Sequence, residues 1–290
     1  MLLSPVSAQN FDSIYYRKSV ITAFKEAGFQ TAFFSNQRYN HSFIDFFGME
    51  ADTYDFIKED SQDSQYNPSD DELLMLVEKE LEKGNRKQFI VLHTYGSHFN
   101  YRERYPETAA FFLPDFPVDA EVKYKDNLMN AYDNSIRYTD NFLARIIHLL
   151  KQQQVDASML YTSDHGEDIF DDGRHLFLHA SPVPSYYQLH VPLLLWTSDS
   201  YREEYPGIEK AASMNRQKNI SSSISFFQTM MELAGIETPY RNDSLSVTSP
   251  LYTEKSRVYL NDHNEPRPLD DIGMRKEDFE MLKKRGIDAQ

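Results

Sequence analysis

Cysteine is absent from the 290 residues, which removes disulfides, thiolate metal ligands and cysteine nucleophiles together. The compartment stays open, because a domain of this size is stable without cross-links in an oxidising or a reducing space. Glycine is scarce at 10 residues, and none of it forms the phosphate cradle of nucleotide sites or the Gly-x-Ser-x-Gly elbow of serine hydrolases. Positive charge is in short supply: 30 Lys+Arg stand against 45 Asp+Glu, a net charge of −15. That balance repels phosphate backbones and anionic membrane surfaces, so nucleic acid is not an expected partner. No apolar run approaches the roughly 18 residues of a membrane span. Residues 1–14 also lack the basic-then-apolar order of a signal peptide.

What remains is rich in aromatics. With 20 Phe, 19 Tyr and 40% hydrophobic residues the chain can bury a core, unlike a disordered segment. Four short apolar runs read as buried strands: residues 31–34, 88–92, 157–162 and 191–196. Helical periodicity lies between them, over 19–27 (Val20, Ile21, Phe24, Ala27), 70–83 (Leu73, Leu76, Val77, Leu81), 127–154 (Ile136, Phe142, Ile146, Ile147, Leu150) and 221–234 (Ile224, Phe227, Met231, Leu233). Three of these end at a glycine: Gly28, Gly84 and Gly235. Alternating strands and helices predict an α/β fold, a mostly parallel sheet covered by helices on both faces. Segments 59–71, 106–117 and 168–184 read as loops. The charged tail, 249–290, holds one strand-like run at 257–260 and a final polar helix, and is expected to pack on the same single domain, 1–290.

The chemistry concentrates at Tyr-Thr-Ser-Asp-His-Gly-Glu, residues 161–167, where a predicted strand ends and the chain turns at Gly166. Sites in open α/β sheets form beyond the carboxyl ends of strands, and Asp164, His165 and Glu167 stand at such an end. Carboxylate oxygen and imidazole nitrogen are ordinary zinc donors, and a catalytic zinc keeps one position open. The structural alternative is a loop-capping Asp beside a solvated His. A second predicted strand runs into His93 and His98 around Gly96, and the segment after the Asp-His pair carries His175 and His179. Five of the nine histidines thus gather at two strand ends, which favours a site. His41, His148 and His190 read as structural, and Asp133, Asn134 and Asp140 as solvated, capping or site-supporting groups.

Several motifs occur in a family's order: Ser-Asp-His-Gly-Glu at 163–167, Leu-His-Thr-Tyr-Gly-Ser-His leading to Tyr-Arg-Glu-Arg-Tyr-Pro at 92–106, Phe-Leu-His-Ala-Ser-Pro at 177–182 and Val-Pro-Leu-Leu-Leu-Trp at 191–196. Together they resemble the sulfatase-like phosphoethanolamine transferases. The resemblance implies an alkaline-phosphatase/sulfatase-like domain on the periplasmic side of the inner membrane, carried by an N-terminal membrane part. It implies a metal-activated threonine that takes phosphoethanolamine from phosphatidylethanolamine and passes it to lipid A or a lipopolysaccharide core sugar. Asp164 and His165 match metal ligands, with zinc the usual ion and manganese another. His98 and His179 match the substrate pocket, contacting phosphate or a second metal.

The match also carries departures. Enterobacterial members have disulfides in this domain, so the chain looks closer to cysteine-free relatives. The family's threonine and its acidic ligand belong on the amino-terminal side of the segment matching residues 1–11. The resemblance therefore implies the C-terminal portion of a longer enzyme, without the nucleophile, the first strand or membrane helices, and inactive alone. Ser4 and Ser7 fall after the nucleophile's place. A sulfatase or phosphodiesterase hydrolase of the same superfamily, and a non-catalytic remnant, stay open as alternatives.

Overall fold

A computed structural model describes residues 2–39, 43–58, 67–84, 87–179, 182–261 and 263–287. In chain order its first elements are α1 (Val20–Glu26), β1 (Gln30–Ser35), α2 (Phe43–Gly48), β2 (Thr53–Phe56), α3 (Glu72–Glu82), β3 (Gln88–His93) and α4 (Lys125–Gln152). There follow β4 (Ser158–Thr162), β5 (Asp168–Ile169), β6 (Phe177–Leu178), α5 (Tyr186–Leu189) and β7 (Leu193–Thr197). The last are α6 (Asp199–Glu204), α7 (Pro206–Asn215), α8 (Ser222–Leu233), β8 (Val258–Leu260), β9 (Pro266–Pro268) and α9 (Lys276–Lys284). Two compact units result: one of Phe24–Gln154 with Ile169–Leu178, the other of Met1–Ala23, Val155–Asp168 and His179–Gln290. Among the described residues no helix is long and apolar enough to cross a membrane.

The first unit holds the parallel sheet, ordered β2-β1-β3. Its middle strand is buried from Thr31 to Ser35, as a strand covered on both faces must be. Phe24 of α1 stacks on Phe89 of β3 with ring centroids 3.7 Å apart. Helix α3 buries Leu73, Leu74, Val77 and Leu81, one stripe at helical spacing. The sheet is strapped from below: Asp52 accepts from the Thr31 N–H (3.0 Å) and hydroxyl (2.9 Å) and pairs with Lys25 Nζ at 2.6 Å. Helix α4 is tied to the start of α3, where Asp71 accepts from Tyr138 (2.7 Å) and pairs with Arg145 (2.6 Å).

In the second unit β4 and β7 pair antiparallel, Leu160 beside Leu195. The sequence gives both as apolar runs but not their direction. A parallel return needs a crossover of a dozen or more residues, usually helical. The described chain between them contains only a two-stranded turn and the four-residue α5, so β7 comes back alongside β4 in the opposite sense. Helix α8 buries Phe227, Met231 and Leu233. The tail belongs to this unit's core: Leu269, Met274 and Leu282 pack with Tyr186, and Asp278 accepts the buried Tyr186 N–H at 2.9 Å.

Candidate metal centre

The site segment leaves β4 at Thr162 and is fixed against α5 at two points. At Gly166 the backbone N–H donates to the Gln188 carbonyl at 2.8 Å. A Cβ there would stand 2.1 Å from the Tyr187 carbonyl oxygen, so the approach admits only glycine. Two residues on, the buried Asp168 carboxylate accepts from Ser185 Oγ (2.7 Å) and Gln188 Nε2 (2.5 Å). Ser185 also caps α5, accepting from the Tyr187 and Gln188 N–H groups.

The next step is a hairpin of β5 and β6. Its turn is closed by Asp172, whose carboxylate takes the Arg174 N–H at 2.8 Å and pairs with the Arg174 guanidinium at 2.5 Å. The Phe170 N–H donates to the Leu176 carbonyl at 2.9 Å, which fixes the register. Counting outward along both strands, Glu167 then faces His179 across the hairpin. Leu178, just before that histidine, sits at φ 66°, a costly conformation for a bulky side chain and one that surrounding contacts must hold.

The result is a cluster of three. Glu167 Oε1 lies 3.1 Å from His179 Nδ1, and the His165 and His179 rings stack with centroids 3.8 Å apart. One ligand-type atom from each of His165, Glu167 and His179 lies within 4.8 Å of the others. The Glu167 side chain is 4% exposed and both imidazoles are a third exposed, so the group has a closed wall and an open side. Donors on a tetrahedral zinc at about 2.0–2.1 Å are roughly 3.4 Å apart. The Glu167–His179 distance already meets that spacing, and the widest separation needs to close by no more than about 1.4 Å. Two imidazoles and a carboxylate with one side open are a donor set of the catalytic zinc type, so these residues fit the ion.

Of the residues singled out in the sequence, the structure brings together His165 and His179. Asp164 stands beside them: Oδ2 is 3.6 Å from His165 Nε2, Oδ1 accepts the His165 N–H at 3.0 Å, and the side chain is 77% exposed. His98 lies beyond β3 in the other unit, Nδ1 2.5 Å from the Phe99 carbonyl and its ring edge-on to Tyr95. His93 joins the ends of two strands, its Nδ1 3.0 Å from Ser35 Oγ. His175 is exposed at the hairpin turn, His148 meets Gln152 along α4, and His190 meets the Tyr186 hydroxyl at 2.8 Å. Burial, with Arg285 and Arg257 adding to it, pushes the His190 imidazole below its usual range. His41 lies outside the described residues. Glu167 was visible at the strand end but carried no role in the sequence; the signal that finds it is the hairpin register.

The sequence pattern called Sulfatase matches residues 2–236. Phosphoethanolamine transferase EptA of Escherichia coli K12 is 36% identical over 157 residues, 52% of this chain and 28% of that protein. Phosphoethanolamine transferase EptC of the same organism is 24% identical over 275 residues, covering 92% of this chain and 47% of the other. The chain thus spans less than half the length of these curated relatives. The crystal structure of the C-terminal periplasmic domain of Escherichia coli EptC in complex with Zn superposes with a TM-score of 0.83 at 23% identity, over 94% of this chain and 77% of that one.

Proposed function

The chain belongs to the sulfatase family, and from that premise we propose that it carries the metal centre of a phosphoethanolamine transferase. On this reading both units form one periplasmic catalytic domain. The donor is phosphatidylethanolamine, and the acceptor is lipid A or a lipopolysaccharide core sugar. The observation that carries the reading is the convergence of His165, Glu167 and His179 where the chain leaves β4. The phosphoethanolamine transferases EptA and EptC among its relatives favour the transferase among the family's chemistries.

In the proposed centre His165, Glu167 and His179 would hold a zinc ion, with Asp164 beside His165. When bound, the cation supplies Lewis acidity that offsets charge growing on the oxygens of the transferring phosphoryl group. The protein's own residues prepare the position. Glu167, walled in, fixes the ring, while the open side of the two imidazoles admits a phosphate oxygen.

Two measurements test this. Calorimetric titration of residues 1–290 with zinc should give one submicromolar site that His165→Ala abolishes. Headgroup transfer from a fluorescent phosphatidylethanolamine by the whole gene product should fall about a thousandfold or more with the same substitution. Absence of stoichiometric zinc binding overturns the proposed centre.

A further inference from the structure

Among the described residues of the first unit, an exposed apolar surface lies on a loop tip that follows the 3-10 turn Tyr101–Arg104. Phe111, Leu113 and Phe116 are 66%, 67% and 69% exposed, and Phe112 beside them 36%. At 150–250 Å² for each large side chain, those fractions expose roughly 350–600 Å², as much as the largest patch of a typical monomer and often a functional one.

This tip is built, not loose. Asn134 of α4, buried, accepts from the N–H groups of Phe111 and Phe112 (2.9 Å each) and donates to the Phe112 carbonyl at 3.0 Å. Asn130 donates to the Pro114 carbonyl at 2.8 Å. The N–H groups of Ala109 and Ala110 bond to Pro106 and Glu107, and Pro114 and Pro117 have no N–H. From Ala109 to Val118 the one ionisable side chain is Asp115, and it is turned inward, bonded to the Tyr105 hydroxyl (2.7 Å) and paired with Arg102 (3.2 Å). Burial, with Asp115 next to it, pushes the Tyr105 phenol up to about 12, so that hydroxyl stays a donor.

We propose that the tip at residues 111–116 inserts into the interface of a zwitterionic phospholipid bilayer. Backbone groups cost several kcal/mol each in hydrocarbon unless already paired, and here a buried asparagine pairs two N–H groups and one carbonyl of the tip in advance. Water makes no such demand on an exposed loop. The only carboxylate of the segment is withdrawn, so the inserting surface is uncharged, matching a hydrocarbon layer in charge. A second copy of the chain is a poorer occupant, since a stable dimer buries about 800 Å² on each partner and this patch falls short. The net charge of −15 selects neutral over anionic headgroups. At the rim, the Arg137 guanidinium lies 4.4 Å from the Phe111 ring centroid, where it can reach a headgroup phosphate while its stem stays on apolar surface.

The test is flotation of residues 1–290 with vesicles of phosphatidylcholine and phosphatidylethanolamine. Wild type is expected to float with the vesicles, and the triple variant Phe111→Ser, Leu113→Ser, Phe116→Ser to lose at least tenfold in bound fraction with an unchanged thermal midpoint. A Phe116→Trp variant should show emission that moves to the blue and is quenched by brominated lipid, while Trp196 alone in the wild type does not. Failure of the wild type to float, equal flotation of the triple variant, or a dimer that the triple variant dissolves without any flotation overturns the proposal. Zinc affinity, measured in parallel, is independent of all three outcomes and reports separately on the metal centre.

Discussion

Gly166→Ala should disable the metal centre without touching a ligand. The added Cβ meets the Tyr187 carbonyl oxygen at 2.1 Å, and that oxygen is backbone, unable to rotate away. Relief requires the site segment and α5 to part by at least about 1 Å, which overpacking measurements put at about 1–3 kcal/mol. Parting also breaks the 2.8 Å bond from the Gly166 N–H to the Gln188 carbonyl, worth about 1 kcal/mol. The sum, about 2–4 kcal/mol, translates to a fall of roughly 3–7 °C in the melting temperature of a chain this size. His165 and Glu167 flank the moved residue, so zinc affinity should drop about 10- to 100-fold, as it does when supporting contacts of metal ligands are lost. Differential scanning fluorimetry with and without zinc, followed by calorimetric titration, measures both. Gly173→Ala is the control: it lies in the same hairpin and its added Cβ meets nothing within 4 Å. A Gly166→Ala protein that melts and binds zinc as the wild type does refutes the reasoning.

Three further outcomes are expected. Glu167→Ala should weaken zinc binding about 100-fold and Asp164→Ala about tenfold, because the first is buried against His179 and the second is exposed; the reverse order in calorimetry would return the centre to the adjacent Asp-His pair. Asn134→Ala removes the shared acceptor of two N–H groups and the donor to one carbonyl; urea unfolding should show a loss of about 1–3 kcal/mol, and vesicle flotation should weaken with it. The hydrogen bond from Lys25 holds the Asp52 carboxyl below the usual carboxylate range, helped by those from Thr31. Its contribution is therefore complete above the unfolded value of about 3.9 and is lost as pH falls through the lower folded value. Thermal midpoints of Asp52→Asn should accordingly be lower than wild type at pH 6 and converge with it below about pH 4; parallel curves across that range would refute the assignment.

Fold and elements were largely legible. The runs at 31–34, 88–92, 157–162 and 191–196 all became strands, because each is apolar enough to be buried and short enough not to be helix. Helices α1, α3, α4 and α8 followed from periodicity and, for three of them, a terminal glycine at positive φ. The strand β2 was not legible: Thr-Tyr-Asp-Phe is a four-residue edge with only Phe56 buried, and its pairing with β1 is set by the Asp52 strap more than by its own pattern. Short helices α6 and α7 lack a wide apolar stripe, burying little beyond Tyr201, Ala211 and Asn215. Direction of pairing between β4 and β7 depends on what the connection can span, which composition does not encode.

The metal centre was legible in its location and less so in its membership, and strand geometry explains why. Beyond β4 the backbone bends at Asp164, and Asp164 and His165, neighbours in sequence, bring Oδ2 and Nε2 within 3.6 Å, close to the spacing of two zinc donors. Glu167, two residues further on, joins His165 in one cluster. The hairpin register then brings in His179 opposite Glu167, across a turn that Asp172 and Arg174 close. A motif read along the chain marks neighbours, whereas a ligand group is completed by cross-strand partners. The register is what adds the buried Glu167 and His179 to a group that the motif already marks by Asp164 and His165.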